Sequence, residues 1–364
     1  MMFREFIFKA GYTVSMNAVG LITEYNPLHE GHLHHIEQTR KLLNPDVLVV
    51  IMTSWFSSRG LPSLLGRHDK TKLAMKAGAD LVLELPCIYA AQSADRFALY
   101  AIESLKTAGV TAICFGSEKG DICALENLAD QLENAQADPS TSMIRNTEKL
   151  LNEPLSSNDI LGIQYIRYCR MFGISPYCIQ RNDAFKSATA TRADYFSGRK
   201  EFLSEYFQQE QSWESYYPYL RNQLVLTSAH DLNRFFLVSE GIENRLKKAA
   251  QNCRTWDEFL RSAISKTYTK ARIQRTCLFI LLQITKEQMN QNDSFFLCRV
   301  LGMNEKGRAL LRSRPAGTPV ISRFRDLPPF LQMTETKSRY LYESVMNEPL
   351  KNEDRMVISV EEEN

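Results

Sequence analysis

Histidine, the side chain best suited to donate hydrogen bonds or protons near neutral pH, is concentrated in one short segment of this chain. The 364 residues include six histidines, and four of them lie in "GLITEYNPLHEGHLHHI", Gly20–Ile36. His29 and His32 stand on either side of Gly31. Two imidazoles at this spacing can donate to one phosphate and stabilise charge that develops on it. The alternative is a histidine-rich helix start on the surface.

The neighbouring segments predict how this loop is positioned. A short apolar run, "NAVGLI", precedes it, and "GHLHHIEQTRKLL" follows with a helical period. Ligands bind beyond the carboxyl ends of strands in open α/β sheets, and a helix beginning near His32 would direct its first amides at a phosphate. Asn26-Pro27 indicates a turn, and Gly31 permits close approach of the backbone to a ligand.

A second polar segment, "KSATATR", comes later in the same half of the chain. Lys186, Ser187, Thr189 and Arg192 offer an ammonium group, two hydroxyls and a planar guanidinium. These groups suit a pyrophosphate at the start of a helix. The alternative is an ordinary Ser/Thr helix cap with a solvated arginine.

Strand and helix signals alternate through the first half of the chain. The segments after the histidine helix read strand, helix, strand, helix, strand: "DVLVVIM", "RHDKTKLAMKAGA", "DLVLELP", "SADRFALYAIESLKTAG" and "VTAICFG". "NDILGIQYIRYCRMFG" and "ISPYCIQR" add a helix and a strand after a polar excursion, Cys123–Ser157. This alternation predicts an α/β, Rossmann-like domain with a parallel sheet.

The second half of the chain reads as mostly helical, "SFFLCRVLG" included. The expected division is a disordered extension over 1–15, the α/β domain over 16–197, an α-helical domain over 198–350 and a mobile acidic tail over 351–364. Met16 is a candidate for the natural start of the protein.

The composition of the chain argues against several classes of protein. The chain is 44% hydrophobic and 24% charged with a net charge of +2, which is typical of a globular protein. No apolar run approaches the roughly 18 residues of a membrane helix. The eight cysteines form no Cys-x-x-Cys pair, so neither a zinc site nor a disulfide framework is indicated, and reduced thiols in the cytoplasm are expected. No metal-ligand cluster and no obligate protein partner are indicated.

The His-x-Gly-His arrangement resembles the signature of the nucleotidylyltransferase superfamily. Six segments narrow the resemblance by their order and spacing: "VGLITEYNPLHEGHLHHI", "GADLVLELP", "QSADRFALYAIESL", "FGSE", "SNDILGIQYI" and "SATATR". Together with "SEGIENRL", "SKTYTKARIQR" and "RVLG" they resemble the tRNA(Met) cytidine acetate ligase family, from about Asn17 to Leu311.

The resemblance implies an activity. Members of that family activate acetate with ATP as acetyl-adenylate and acetylate the wobble cytidine of elongator tRNA(Met). It implies His29 and His32 as catalytic residues, and a divalent ion, expected to be Mg²⁺, on the phosphates. It also implies the ATP contacts Ile22, Thr23, Glu24, Tyr25, Asn26, Pro27, His29, Gly31, His32, His35, Gly116, Asn158, Arg181, Ser187, Thr189 and Arg192.

A basic stretch in the helical half is the candidate RNA contact. Between Gly241 and Arg275 nine basic residues face three acidic ones, the basic set being Arg245, Lys247, Lys248, Arg254, Arg261, Lys266, Lys270, Arg272 and Arg275. With the resemblance, phosphate contacts and base stacking are expected from Lys266, Tyr268, Lys270, Arg272 and Arg275. The alternative is a solvated helix face.

One segment departs from the family pattern Ser-Gly-Asn-Phe-x-Gln-Arg-Gly. It reads Thr53-Ser54-Trp55-Phe56-Ser57-Ser58-Arg59-Gly60, and "GRHDK" follows at Gly66–Lys70. An indole in place of an amide changes volume and hydrogen bonding where the acyl group or nucleoside is expected. Two rivals to the acetate ligase therefore stay open: an adenylyltransferase acting on another carboxylate or a small phosphorylated acceptor, and a non-catalytic RNA-binding paralogue.

Overall fold

The computed structural model describes residues 16–133, 155–350 and 357–359. The predicted extension before Met16 lies outside these residues, as do most of the predicted acidic tail and of the excursion Cys123–Ser157. The elements of the first half are β1 (Ala18–Thr23), α1 (Glu30–Leu43), β2 (Val47–Thr53), α2 (Arg67–Lys76), β3 (Leu81–Leu85), α3 (Cys87–Ala90), α4 (Ala94–Ala108), β4 (Ala112–Ser117), α5 (Ile122–Glu133), α6 (Ser157–Phe172), β5 (Ser175–Gln180) and α7 (Ala188–Phe196).

A mostly parallel sheet with the strand order β5-β4-β1-β2-β3 organises this half. Strand β1 is central, and its last residues Ile22 and Thr23 pair with Ile51 and Met52 of β2. The strands are buried apolar runs, as expected where helices cover both faces. The α/β fold with a parallel sheet is therefore confirmed.

Helices cover the two faces of the sheet with separate sets of side chains. Ile36 of α1 and Leu73 of α2 pack with Val19, Leu48 and Val50 on one face. On the other face, the side chains of α4 and α6 pack with those of β2, β3 and β4, and this core continues into the helices of the second half. All the β1, β2 and β4 carboxyl ends point to one edge, which is where the histidine loop begins.

The second half is mainly helical. Its elements are α8 (Trp213–Leu226), α9 (Ala229–Leu232), α10 (Ile242–Asn252), α11 (Trp256–Ala263), α12 (Lys270–Leu282), α13 (Lys286–Asn290), β6 (Cys298–Met303), α14 (Glu305–Arg312), β7 (Val320–Ile321), α15 (Pro329–Glu343) and β8 (Ile358–Ser359). Among the helices of the described ranges, none has both the length and the apolar character needed to cross a membrane.

The helical prediction for "SFFLCRVLG" is wrong. Cys298–Met303 forms β6, which pairs antiparallel with β3, so the chain returns to the sheet of the first half. A short apolar run cannot be distinguished from a buried strand by periodicity alone. The open edge of β3 decides the outcome, because its unpaired backbone groups require partners.

Candidate active site

The histidine loop leaves the carboxyl end of β1 and enters α1. Tyr25 has φ +43°, and the Asn26-Pro27 peptide bond is cis. The Asn26 side chain fixes the turn to the segment after β2, because it donates to the Pro62 carbonyl at 3.1 Å and accepts from the Leu64 amide at 2.9 Å. The first turn of α1 is thereby held at the edge of the sheet.

His29 and His32 cap the N-terminus of α1 reciprocally. The Gly31 amide donates to His29 Nδ1 at 3.1 Å, and the His29 amide donates to His32 Nδ1 at 3.3 Å. Their ring centroids lie 3.8 Å apart. Because Nδ1 of each ring accepts a hydrogen bond, each neutral imidazole carries its hydrogen on Nε2. Both rings therefore present an Nε2 donor, as the predicted phosphate contact requires.

Burial keeps these rings neutral. It lowers the pKa of His29 to about 4, with a further contribution from the charge of Arg181. Burial and the neighbouring His29 hold the pKa of His32 well below its usual value. Gly31 is required beside them, since a Cβ there would lie 2.9 Å from the His29 ring. At neutral pH each ring therefore offers a phosphate one uncharged Nε2–H donor.

His35 lies near enough to His32 for its charge to act on that ring. Its Nε2 is buried with no hydrogen-bond partner among the described residues, and burial lowers its pKa to about 4, partly offset by a hydrogen bond with the Cys114 backbone. His35 therefore lies between α1 and the middle of β4. Its predicted contact with ATP stays a prediction.

The two predicted phosphate segments meet through Arg192 of α7. Its Nη1 donates to Asn26 Oδ1 at 2.7 Å and to the Pro62 carbonyl at 3.0 Å, and Nη2 donates to the Gln211 carbonyl at 3.1 Å. Burial lowers the pKa of this guanidinium to about 10. Arg192 thus anchors the histidine loop, in addition to any contact with phosphate.

The hydroxyls of "KSATATR" divide into two environments. Ser187 caps α7 by accepting from the Ala190 amide at 3.2 Å, and Thr189 is exposed in the first turn. Lys186 forms ion pairs with Asp194 and Glu201, both at 2.8 Å. Phe185, just before them, would lie 3.4 Å from a Cβ on Gly31, so this helix start adjoins that of α1.

A carboxylate that the sequence reasoning did not single out joins the remaining predicted ATP contacts. Glu118 Oε1 accepts from Arg181 Nη1 at 2.9 Å and from Asn158 Nδ2 at 2.7 Å. Gly116, two residues earlier on β4, lies against Arg181, where a Cβ would meet its Cγ at 3.2 Å. The position of Glu118 directly after a strand end, inside "FGSE", was the signal available.

Two basic side chains of the Thr53–Lys70 segment, Arg67 and Lys70, are buried. Trp55 is buried against Tyr342 and beneath the Arg67 guanidinium, and its Nε1 has no hydrogen-bond partner in the part of the chain that the structure describes. Lys70 Nζ donates to the Thr53 carbonyl at 2.6 Å and to the Ser54 carbonyl at 3.2 Å. The indole that departs from the family pattern therefore fills the interior.

A buried ion network lies behind this segment. Glu84 of β3 pairs with Arg67 at 3.2 Å and with Arg299 of β6. Glu335 of α15 accepts from the Cys87 amide at 2.9 Å, and burial together with the charge of Glu84 raises its pKa to about 7. The network fixes the second half of the chain to the end of β3.

The predicted RNA contacts lie on and before α12, with different exposure. Lys266 and Lys270 are exposed, whereas Tyr268 is half-buried and its hydroxyl donates to the Glu240 carbonyl at 2.5 Å. Arg272 donates to Ser239 Oγ at 2.9 Å, and Arg275 donates to the Ser58 carbonyl at 3.4 Å.

Two further residues of the basic stretch bind helix ends. Arg245 donates to the carbonyls of Ser262, Ala263 and Ile264, and Lys247 to those of Leu224, Val225 and Thr227. Cations satisfy the last carbonyls of a helix in this way. Some of the basic residues in this stretch, Arg245 and Lys247, therefore stabilise the fold by binding helix ends.

In the described ranges, no group of three His, Cys, Asp or Glu side chains is placed to hold a metal ion. All eight cysteines are free, and five of them are buried.

The fold is an α/β domain with a parallel sheet, and two histidines cap the helix after its first strand. An arginine of a later helix holds the loop before these caps. This combination defines a nucleotidyl transferase. The HIGH nucleotidyl transferase family model matches residues 16–356. A tRNA(Met) cytidine acetate ligase of Geobacillus sp. (strain WCH70) is 31% identical, over 92% of this chain and 96% of the relative. One of Acetivibrio thermocellus is 32% identical, over 85% of this chain and 89% of the relative.

A solved structure supports the same class of protein. A crystal structure of Thermotoga maritima TmcAL bound with alpha-thio ATP has a TM-score of 0.82 and 26% identity, and the match covers 95% of this chain and all of that one. The chain belongs to the HIGH nucleotidyl transferase family and, within it, to the tRNA(Met) cytidine acetate ligase family.

Proposed function

We propose that this protein uses ATP to activate acetate and then acetylates the wobble cytidine of elongator tRNA(Met). The observation that carries the proposal is the pair of capping histidines, His29 and His32, after the carboxyl end of β1, in a loop that Arg192 holds through Asn26. The ligase names of the relatives, at 31–32% identity over most of the chain, support this substrate pair above another carboxylate or a small phosphorylated acceptor. We also propose that it acts in the cytoplasm.

In the first step, an acetate oxygen attacks the α-phosphorus of ATP. The bond from that phosphorus to the bridging oxygen breaks, and pyrophosphate leaves with the electron pair. His29 and His32 would donate through Nε2 to the phosphates, where negative charge increases. Ser187, Thr189 and the first amides of α7 would bind the leaving pyrophosphate. The remaining predicted ATP contacts would enclose the nucleotide, namely Ile22, Thr23, Glu24, Tyr25, Asn26, Pro27, Gly31, His35, Gly116 and Asn158.

Gly116, Arg181 and Asn158 form the nucleoside side of the proposed site. Glu118 holds both the Arg181 guanidinium and the Asn158 amide, so their positions are set before a nucleotide arrives. Such preorganisation lowers the cost of binding. Gly116 lets the Arg181 side chain lie close over the end of β4, and a larger residue there would displace it.

Mg²⁺ is part of the proposal as an ion carried by the nucleotide. Because the described residues offer no three-ligand cluster, the ion would take its ligands mainly from phosphate oxygens and water. Bound there, it would neutralise charge on the leaving pyrophosphate.

In the second step, the exocyclic amine of cytidine attacks the carbonyl carbon of acetyl-adenylate. The bond to the phosphate oxygen breaks, AMP leaves, and the amine loses a proton to water or buffer. The exposed Lys266 and Lys270, with Tyr268, Arg272 and Arg275, would contact the tRNA. Residues 16–197 would then bind ATP, and residues 198–350 would bind RNA.

The test is pyrophosphate release from ATP with acetate and unmodified elongator tRNA(Met) each added or omitted. We expect release that depends on acetate, and acetylated cytidine in the tRNA only when all three substrates are present. Release that ignores acetate but responds to another carboxylate would overturn the substrate assignment. No release, with tRNA still bound, would indicate a non-catalytic RNA-binding protein.

A further inference from the structure

A tight turn connects the nucleotide loop to the basic helix α12. In the turn Ser57–Gly60, the Gly60 amide donates to the Ser57 carbonyl at 2.8 Å. The Ser58 amide donates to Glu24 Oε1 at 2.8 Å, and the Ser58 carbonyl accepts from Arg275 Nη1 at 3.4 Å. Ser58 therefore contacts both the Glu24 side chain of the nucleotide loop and the Arg275 side chain of α12.

Gly60 allows this turn to pack closely against helices α8 and α12 of the second half. It has φ +73°, and a Cβ there would lie 3.0 Å from the Arg275 backbone nitrogen. Its carbonyl accepts from Trp213 Nε1 at 2.9 Å. The turn is thus fixed between the two halves of the chain, and Arg59 at its tip is exposed to solvent.

Arg59 and Arg275 lie at this turn, Arg272 lies one helical turn before Arg275, and none of the three forms an ion pair with a residue of the described ranges. Arg275 is largely buried, and its Nε has no hydrogen-bond partner within residues 16–133, 155–350 and 357–359. The buried Nε of Arg272 also lacks a partner there, whereas its Nη2 donates to Ser239 Oγ and to the Leu237 carbonyl. Arg59 makes no hydrogen bond or ion pair with any residue in the described ranges. The charges of Arg59 and Arg272 both act on Arg275, and Asp95 at the start of α4 acts on it from beyond ion-pair distance.

A buried cation without an ion pair is costly, and a bound anion would offset that cost. Guanidinium groups present planar pairs of donors that match phosphate oxygens. We propose that Arg59, Arg272 and Arg275 bind a backbone phosphate of the tRNA at the Ser57–Gly60 turn, and so place the acceptor cytidine beside the adenylate. This inference rests on the proposed function and adds Arg59 to the RNA contacts.

The test uses Arg59→Ala, with Arg312→Ala as the matched control. Arg312 is also exposed and lies on α14. This helix follows the end of β6 that pairs with the amino end of β3, so it starts at the edge of the sheet opposite the carboxyl ends of the parallel strands. Each variant is assayed for acetate-dependent exchange of pyrophosphate into ATP without tRNA, for tRNA binding across a salt series, and for acetyl transfer.

We expect Arg59→Ala to keep the exchange rate, to bind tRNA roughly tenfold more weakly at low salt, and to lower the slope of log K against log salt by about one. Acetyl transfer at subsaturating tRNA should fall in parallel. Arg312→Ala should match the unmodified protein in all three assays. The proposal is overturned if Arg59→Ala binds tRNA as Arg312→Ala does, or if its exchange rate falls without tRNA.

Arg275→Met distinguishes a ligand contact from a structural role. A residue that supports the fold would lose thermal stability on substitution, whereas an unpaired buried cation should be replaced with unchanged or raised stability. We expect weaker tRNA binding without a lower melting temperature. A lower melting temperature with unchanged tRNA affinity would contradict the proposal, while acetate-dependent exchange in the unmodified protein would still support the proposed function.

Discussion

Arg192 Nη1 lies 2.7 Å from Asn26 Oδ1, which joins a helix late in the α/β half to the loop that follows its first strand. The two residues are 166 positions apart in sequence, and the described residues between them include the strands β2, β3, β4 and β5. Asn26 also accepts from the Leu64 amide. One buried guanidinium therefore sets the position of the loop whose histidines face the nucleotide, and both signature segments depend on the same contact.

Arg192→Lys should damage both stability and catalysis. A lysine keeps the charge but cannot reach Asn26, Pro62 and Gln211 together, so hydrogen bonds worth about 1–3 kcal/mol are lost. We expect that decrease in the urea unfolding free energy and at least about a tenfold slower acetate-dependent exchange. Arg199→Lys is the control, since Arg199 is exposed on an ion pair with Asp194. Equal behaviour of the two variants would contradict the anchoring role.

His29→Asn should separate helix capping from catalysis. Asparagine is among the best N-cap residues, so the variant should keep its stability, whereas His29→Ala should lose about 0.5–2 kcal/mol. Neither variant carries an Nε2 donor, and both should slow adenylation by about 10²–10³-fold. Urea unfolding and single-turnover adenylation measure the two effects. A fully active His29→Asn would show that His29 serves only as a cap.

The parallel sheet and the nucleotide loop were predictable because each rests on local signals. Apolar runs of strand length alternate with helical periods, and the histidine pair lies at the start of α1, a few residues after β1. The confirmed family was also visible, because its segments occur in order along the chain. Each of these features depends on residues that are near one another in sequence.

The features that sequence reasoning missed depend on distant partners. Strand β6 forms because β3 has an open edge, and the paired residues are 215 to 222 positions apart in sequence, from Glu84–Arg299 to Leu81–Met303. Glu118 and Trp55 gain their roles from Arg181 and Tyr342, which no local pattern specifies. Cations that bind helix ends look the same in sequence as cations that bind RNA.

Gly116→Ala should weaken ATP binding with little effect on folding. The new Cβ would meet Arg181 Cγ at 3.2 Å, and that side chain is 36% exposed and can move aside. We expect a several-fold rise in KM for ATP and an unfolding free energy within about 1 kcal/mol of the unmodified value. Gly162→Ala is the contrast, since its Cβ would lie 2.5 Å from the buried Phe115 ring and should destabilise the core. An unchanged KM for Gly116→Ala would contradict the nucleoside surface.

Glu84→Gln should be strongly destabilising. It leaves Arg67 and Arg299 buried without their shared carboxylate, which costs about 3–5 kcal/mol when one partner of a buried pair is removed. Glu305→Gln removes a surface pair with Arg308, where the glutamate is 76% exposed, and should change stability by less than about 0.5 kcal/mol. The urea midpoints measure both. Similar midpoints would show that the network contributes little to the fold.

His35→Gln should reduce the loss of stability in acid. Burial lowers the pKa of His35 to about 4, whereas the unfolded chain titrates at the ordinary value of 6.5. Between pH 6.5 and pH 4 the unfolded state therefore binds one more proton at this position, and stability falls as pH falls, by up to about 1.4 kcal/mol per pH unit. Above pH 6.5 both states are neutral there, so this slope vanishes.

His230→Gln is the control for that measurement, because His230 is exposed on α9. Urea unfolding at pH 7.5, 6, 5 and 4.5 gives the free energy at each pH for the three proteins. The difference between His35→Gln and the unmodified protein should shift in favour of the variant as the pH falls, while His230→Gln should follow the unmodified protein. Parallel curves for all three would mean that His35 is protonated as easily in the folded chain as in the unfolded one.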